Sequence, residues 1–143
     1  MKDKTPPSTV QSVMAQPVIT TKTDTSVREA AELMSKKNVG SIVVTYEGKP
    51  VGIVTERDIV ERVVAKGLDA SKLQMKGIMS KSLITTKGDI PIIEAIRMMQ
   101  KNNIRRLLIM ENKKLIGIVT QRDLLRALAF HVVISFRPLI ETG

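Results

Sequence analysis

The apolar positions of this chain change period along its length, and the changes mark out elements. A short β-prone run around Val18–Thr20 comes first. In TSVREAAELMSKKN, which follows, Val27, Ala30, Ala31 and Met34 fall at helical spacing, and Ser26 with Glu29 has the form of a capping box. VGSIVVTYEGKPVGIVT then offers two β-branched runs around EGK, a hairpin pattern. ERDIVERVVAKG predicts a second helix that closes at Gly67, a residue suited to a C-cap. The predicted order is strand, helix, strand, strand, helix.

That order recurs in the second half of the chain. Gly52 returns as Gly117, an offset of 65, and the alignment runs without a gap from Met14/Met79 to Asp58/Asp123. Thr20/Thr85, Asp24/Asp89, Glu29/Glu94, Met34/Met99 and Asn38/Asn103 are identical pairs. The β-prone run reappears at Leu83–Thr85, and Pro91 takes the place of Ser26, where it suits a first helical turn. IRRLLIMENKKLIGIVT repeats the hairpin with ENKK at its turn. GIVTERD at 52–58 returns as GIVTQRD at 117–123, differing only at Glu56/Gln121. A repeat of about 55 to 60 residues is small for an independent core, so the two copies are expected to pack together. The pattern divides the chain into a polar tail at 1–9, repeat units at 10–66 and 78–130, a linker at 67–77 and a tail at 131–143. That last segment has no counterpart in the first copy and reads as an extra strand or a partner contact.

Composition narrows the chemistry. Hydrophobic residues make up 43% of the chain and aromatics 2%, so aliphatics and the eight methionines must fill the core. So few aromatics nearly rule out base-stacking platforms. The absence of cysteine excludes disulfides, thiolate zinc sites and thiol nucleophiles. The lone His131 lies in an apolar stretch, which fits packing or exposure better than a metal site or a catalytic triad. No serine or carboxylate pair is accompanied by the base or second acid that catalysis needs, so no enzyme activity is expected. MKDKTPPSTV lacks a signal core and ALAFHVVISF is too short to span a bilayer, which predicts a soluble cytoplasmic protein with no membrane partner. The formal net charge is +9. Residues 1–71 hold 10 basic and 9 acidic side chains, and residues 72–143 hold 13 and 5. A basic second half suits nucleic acid, an anionic surface or a phosphorylated small molecule, or else is simply a solvated lysine-rich surface.

Thr55 with Asp58, and Thr120 with Asp123, match the hydroxyl-x-x-carboxylate pattern that starts helices. Capping alone requires neither the arginine before each aspartate nor the glycine three residues before each threonine. A carboxylate at a strand-to-helix turn can also accept from two vicinal sugar hydroxyls. The helix N-terminus favours phosphate, and a glycine lets a flat base lie against the backbone.

The pair VGSIVVTYEGKPVGIVTERDIV and NIRRLLIMENKKLIGIVTQRDLL resembles tandem CBS domains, the arrangement called a Bateman module, over about residues 10 to 130. The resemblance implies an α/β fold of two β-α-β-β-α units packed as a pseudo-twofold pair, with two clefts that commonly bind adenosyl compounds. It also implies a regulatory or energy-sensing role and association of pairs into a dimer, with no cofactor required beyond a regulatory adenine nucleotide (AMP, ADP or ATP) or S-adenosylmethionine. Carried over by motif, one cleft would be formed by Thr20, Thr25, Val39, Gly40, Ile118, Thr120, Arg122 and Asp123. The other would be formed by Ile53, Thr55, Arg57, Asp58, Thr85, Ile90, Ile104, Arg105 and Arg106. The aspartates would hold ribose, the threonines ribose or phosphate, and Ile53 and Ile118 the base. Arg105-Arg106 stands where the first copy has Gly40-Ser41, which suits phosphate and predicts sites of unequal affinity. Nucleic-acid binding through the basic half is an alternative that lacks a reading helix, and a purely structural assembly module is another. The regulated partner is not identifiable from these residues.

Overall fold

The computed structural model describes residues 8–141. Its residues sort into two compact units, Val18–Leu83 and, among the described residues, 84–141 together with 8–17. In the first, β1 (Thr20–Lys22), α1 (Val27–Lys37), β2 (Ser41–Tyr46), β3 (Lys49–Thr55) and α2 (Glu56–Ile59) follow in order, and the chain continues from α2 into a π-helical segment, Val60–Val64. The second repeats the order as β4 (Thr85–Thr86), α3 (Ile92–Asn102), β5 (Arg106–Glu111), β6 (Lys114–Thr120) and α4 (Gln121–Glu141). Each unit has a three-stranded sheet, β1-β2-β3 or β4-β5-β6, with the first pair parallel and the second antiparallel.

The elements form for the reasons the periodicity gave. Ser26 Oγ accepts from the Glu29 amide and caps α1, while Pro91 opens α3 with no side-chain cap. Both helices stop at an asparagine in the left-handed region, Asn38 (φ 54) and Asn103 (φ 50), a residue type that tolerates that conformation. The hairpins turn through two residues of positive φ, Glu47-Gly48 and Asn112-Lys113, matching the strands' right-handed twist. Gly67 (φ 66) ends the segment after α2, as expected.

The buried face of each sheet packs on its own helices. Val27, Ala30, Met34, Ile42, Val44, Val54 and Val63 form one core, and Ile92, Ala95, Met99, Leu107, Ile109, Val119 and Leu124 form the equivalent. Each core is completed by residues that stand ahead of the other copy's first strand, β4 for the first core and β1 for the second. Met75 and Ile78 join the first, and Val10 joins the second. The stretch expected to link the copies at 67–77 is therefore partly core, with Met75 fully buried. Of the two expectations for the C-terminal segment, the extra strand does not form among the described residues, where α4 continues through Glu141. An uninterrupted apolar run does not distinguish strand from buried or exposed helix, and here the helix simply propagates.

Candidate functional site

Each Thr-x-x-Asp stretch sits where the last strand of a sheet turns into a helix. The Thr55 amide donates to Asp58 Oδ2 at 2.8 Å and the Asp58 amide donates to Thr55 Oγ1 at 3.2 Å. Thr120 and Asp123 repeat the box at 2.9 and 3.2 Å. The reciprocal bonds satisfy helix-end amides that would otherwise be orphaned. A second bond fixes each turn to the residue just ahead of the neighbouring strand, β2 or β5. The Glu56 amide donates to the Gly40 carbonyl at 3.0 Å, and the Gln121 amide to the Arg105 carbonyl at 2.8 Å.

The box leaves acceptor capacity unused. Only Oδ2 of each aspartate is engaged in it, and an ionised carboxylate offers about four lone-pair sites. Asp58 Oδ1 lies 3.8 Å from Arg62 Nε, with the aspartate side chain 16% exposed. Asp123 Oδ1 has no partner among the described residues, because Ala127 stands where the first copy has Arg62. Each threonine hydroxyl accepts from the aspartate amide, so its proton remains available to a ligand.

Strand register decides which other candidates share a face. Thr20 pairs with Val43, Val43 with Ile53, and Ser41 with Thr55, so Thr20, Ile53 and Thr55 project from one side of the first sheet. In the second, Thr85 pairs with Leu108, Leu108 with Ile118, and Arg106 with Thr120. Arg106 is thus brought beside Thr120 within one sheet. Val39, Ile90 and Ile104 are partly buried and pack against the cores of their own units. The Thr25 and Ile90 carbonyls accept from the Met75 and Val10 amides at 2.9 and 3.0 Å.

The two turns differ in charge. Arg57 is held by Glu61 at 2.6 Å, and that hydrogen-bonded carboxylate raises the guanidinium pKa above its ordinary value. Arg105, Arg106, Arg122 and Arg126 form no ion pair among the described residues. Arg106 Nε is buried with no hydrogen-bond partner among them. Beside the first turn, the Glu56 carboxylate lies over Gly40, its Cδ 3.7 Å from where a glycine Cβ would be. A hollow of about 390 Å³ bordered by Ala31, Val39, Glu56 and Val60 lies next to this turn without reaching Thr55 or Asp58.

The glycine of each motif serves packing. A Cβ at Gly52 would come within 2.7 Å of Met79 Cγ, and one at Gly117 within 2.7 Å of Met14 Cγ. The space expected to receive a flat base against the glycine backbone is filled by a methionine thioether. Motif reasoning passed over Glu56, and it read these methionines as packing residues without foreseeing that they lie on the motif glycines. The one mismatch within the motif, Glu56/Gln121, and the Met14/Met79 pair were their signals.

The model of the CBS domain family matches residues 10–65 and 75–130. The chain belongs to the CBS-domain family, as a tandem pair. An uncharacterised protein of Methanopyrus kandleri is 42% identical over 120 residues, covering 82% of this chain and 61% of that protein. The chain therefore spans about three fifths of that relative. The CBS domain-containing protein YhcV of Bacillus subtilis is 35% identical over 117 residues, covering 82% of this chain and 83% of YhcV. Among solved structures, the CBS domain pair of protein MJ0100 in complex with 5′-methylthioadenosine and S-adenosyl-L-methionine superposes with a TM-score of 0.73 at 30% identity, covering 85% of this chain and 95% of that one. No described helix is long and apolar enough to cross a membrane.

Proposed function

We propose that this chain is a regulatory module that binds adenosyl ligands at its two Thr-x-x-Asp turns and performs no catalysis of its own. The observation that carries the reading is the unspent chemistry of the capping boxes. After Oδ2 has accepted the threonine amide, each carboxylate still has lone pairs for both hydroxyls of a ribose, and the neighbouring threonine still has a proton to donate. The complex of the similar MJ0100 pair with two adenosyl compounds supports the ligand class. In this reading Asp58 and Asp123 hold ribose, Thr55 and Thr120 hold ribose or phosphate, and Ile53 and Ile118 lie beside the base. Thr20 and Thr85, on the same sheet faces, add polar contacts. Arg105 and Arg106 hold phosphate, with Arg122 free to assist and Arg57 occupied by Glu61. Exposed Val60 and Leu125, equivalent positions of the two copies, supply apolar surface for association of pairs into a dimer.

Titration calorimetry of the full chain against 5′-methylthioadenosine, S-adenosylmethionine, AMP, ADP and ATP tests it. Asn at position 58 or 123 keeps an oxygen for the threonine amide but loses the charge and one acceptor. Asp58→Asn and Asp123→Asn should each weaken ligand at least about tenfold, roughly 1.4 kcal/mol, with little change in stability. If no adenosyl compound binds more tightly than about 1 mM, near 4 kcal/mol, the proposal is lost.

A further inference from the structure

The helices of the two copies present unlike surfaces. In the first unit, α1 and the start of α2 border the hollow of about 390 Å³. Its floor is apolar, made by Ala31, Met34, Val39 and Ile59, and the exposed Glu56 and Val60 stand at its rim. The Glu56 carboxylate forms no ion pair among the described residues. In the second copy Ile96 takes the place of Ala31 and Leu125 that of Val60, so bulk stands where the first copy has a recess. Leu125 is 53% exposed near the start of α4. Arg126 beside it is exposed and also forms no ion pair among the described residues. Charge changes between the copies at matched helix positions. Arg97 stands for Glu32, Arg126 for Glu61 and the neutral Gln121 for Glu56. Recess and carboxylate lie wholly within the first unit, and protruding leucine and guanidinium wholly within the second.

We infer that the hollow of the first unit is an interaction surface for a second copy of this chain, whose Leu125 enters it while the second copy's Arg126 pairs with Glu56. This rests on the dimer reading above and says which faces meet: first repeat against second, not like against like. A single exposed aliphatic is ordinary on a protein surface. Here a recess with an unpaired carboxylate at its rim is matched by a protruding leucine with an unpaired guanidinium beside it. Shape and charge therefore agree on one occupant. An arginine stem packs along apolar surface while its head reaches a partner at the edge, which suits it to such a rim. Contacts between like copies lose both terms. First against first would set Glu56 facing its own counterpart over an empty hollow, and second against second would oppose Leu125 to Leu125 and Arg126 to Arg126. Like charges set against each other are what excludes a wrong partner.

The chain has no cysteine, so introduced cysteines can be trapped without background. Full-length Val60→Cys and Leu125→Cys chains are made separately, mixed in equal amounts and oxidised with copper phenanthroline. A disulfide needs Cα atoms within about 7 Å, so it reports direct contact. The mixture should give linked pairs of chains, and either variant alone should give none. Tyr46→Cys, exposed on the first sheet's hairpin, should give none when mixed with Leu125→Cys. Sedimentation equilibrium supplies a second reading. Glu56→Arg and Arg126→Glu, both at exposed positions, should each weaken self-association at least about tenfold. Combined in one chain they restore the pair with its signs exchanged, and association should return to within about threefold of the native chain. The contact is overturned if each cysteine variant links to itself and the mixture gives no mixed pair, or if the two charge reversals add their losses instead of cancelling. In those outcomes the dimer itself survives. If the native chain sediments as a monomer up to about 1 mM, the dimer reading falls and this contact with it.

Discussion

A side chain at position 52 or 117 would have to occupy space that a methionine already fills. Gly117→Ala should destabilise the protein by about 1–3 kcal/mol, the usual cost of overpacking. Met14→Ala in the same chain should recover part of that loss, because it empties the space the new methyl needs. Urea unfolding of the two single variants and the double variant measures both, and additive losses would show that Met14 is not the obstacle. This is also where reading the sequence reached its limit. The capping boxes were legible because their partners stand three residues apart, and both formed as the pattern required. The glycine was legible as a position that must stay bare, but not for its reason. Met14 and Met79 reach Gly117 and Gly52 from distant parts of the chain, and no local pattern encodes such a contact.

Elements were read more completely than contacts. Strand, helix, strand, strand, helix follows from period changes, capping residues and turn signals, each of them local. The last helix is the exception. HVVISF has no break and no clear period, so nothing local separated an added strand from continued α4. The two hairpin turns give a test at this scale. Gly48 and Lys113 occupy equivalent positions with φ values of 78° and 65°. Left-handed backbone costs a residue with a Cβ about 1–2 kcal/mol, while glycine in the unfolded chain gives back about 0.5–1. The first effect wins, so Lys113→Gly should stabilise by about 0.5–1 kcal/mol. No atom lies within 4 Å of the Cβ position at Gly48, so Gly48→Lys should destabilise through backbone strain alone. Thermal unfolding of both variants checks the opposed signs, and shifts in the same direction would refute the strain argument.

At the scale of the whole molecule, sequence repeats and packed units do not share boundaries. The residues just ahead of each repeated β1-type strand complete the core of the unit built on the other copy. Residues 8–15 belong with 84–141: the Val10 amide donates to Ile90 at 3.0 Å, Gln11 to Gly88 at 2.9 Å, and Ala15 exchanges bonds with Ile118 along the edge of β6. Residues 73–80 belong with the first unit. There the Met75 amide donates to Thr25 at 2.9 Å, the Val27 amide to Leu73 at 2.8 Å, and Ser80 covers the edge of β3 at Ile53. Burying an aliphatic side chain contributes about 1.5–3 kcal/mol, and a domain's net stability is only about 5–15. Losing Met75 and Ile78 together with their backbone bonds therefore removes a large share of what holds the first unit. Two fragments of equal length separate repeat from unit. Residues 18–83 keep the whole packed set and should unfold cooperatively in urea, though less stable than the full chain. Residues 1–66 contain the first repeat but lack Leu73, Met75, Ile78 and Met79, and should show no cooperative transition by circular dichroism. A cooperative transition in 1–66 with the midpoint of 18–83 would mean that these residues only decorate a core that stands without them.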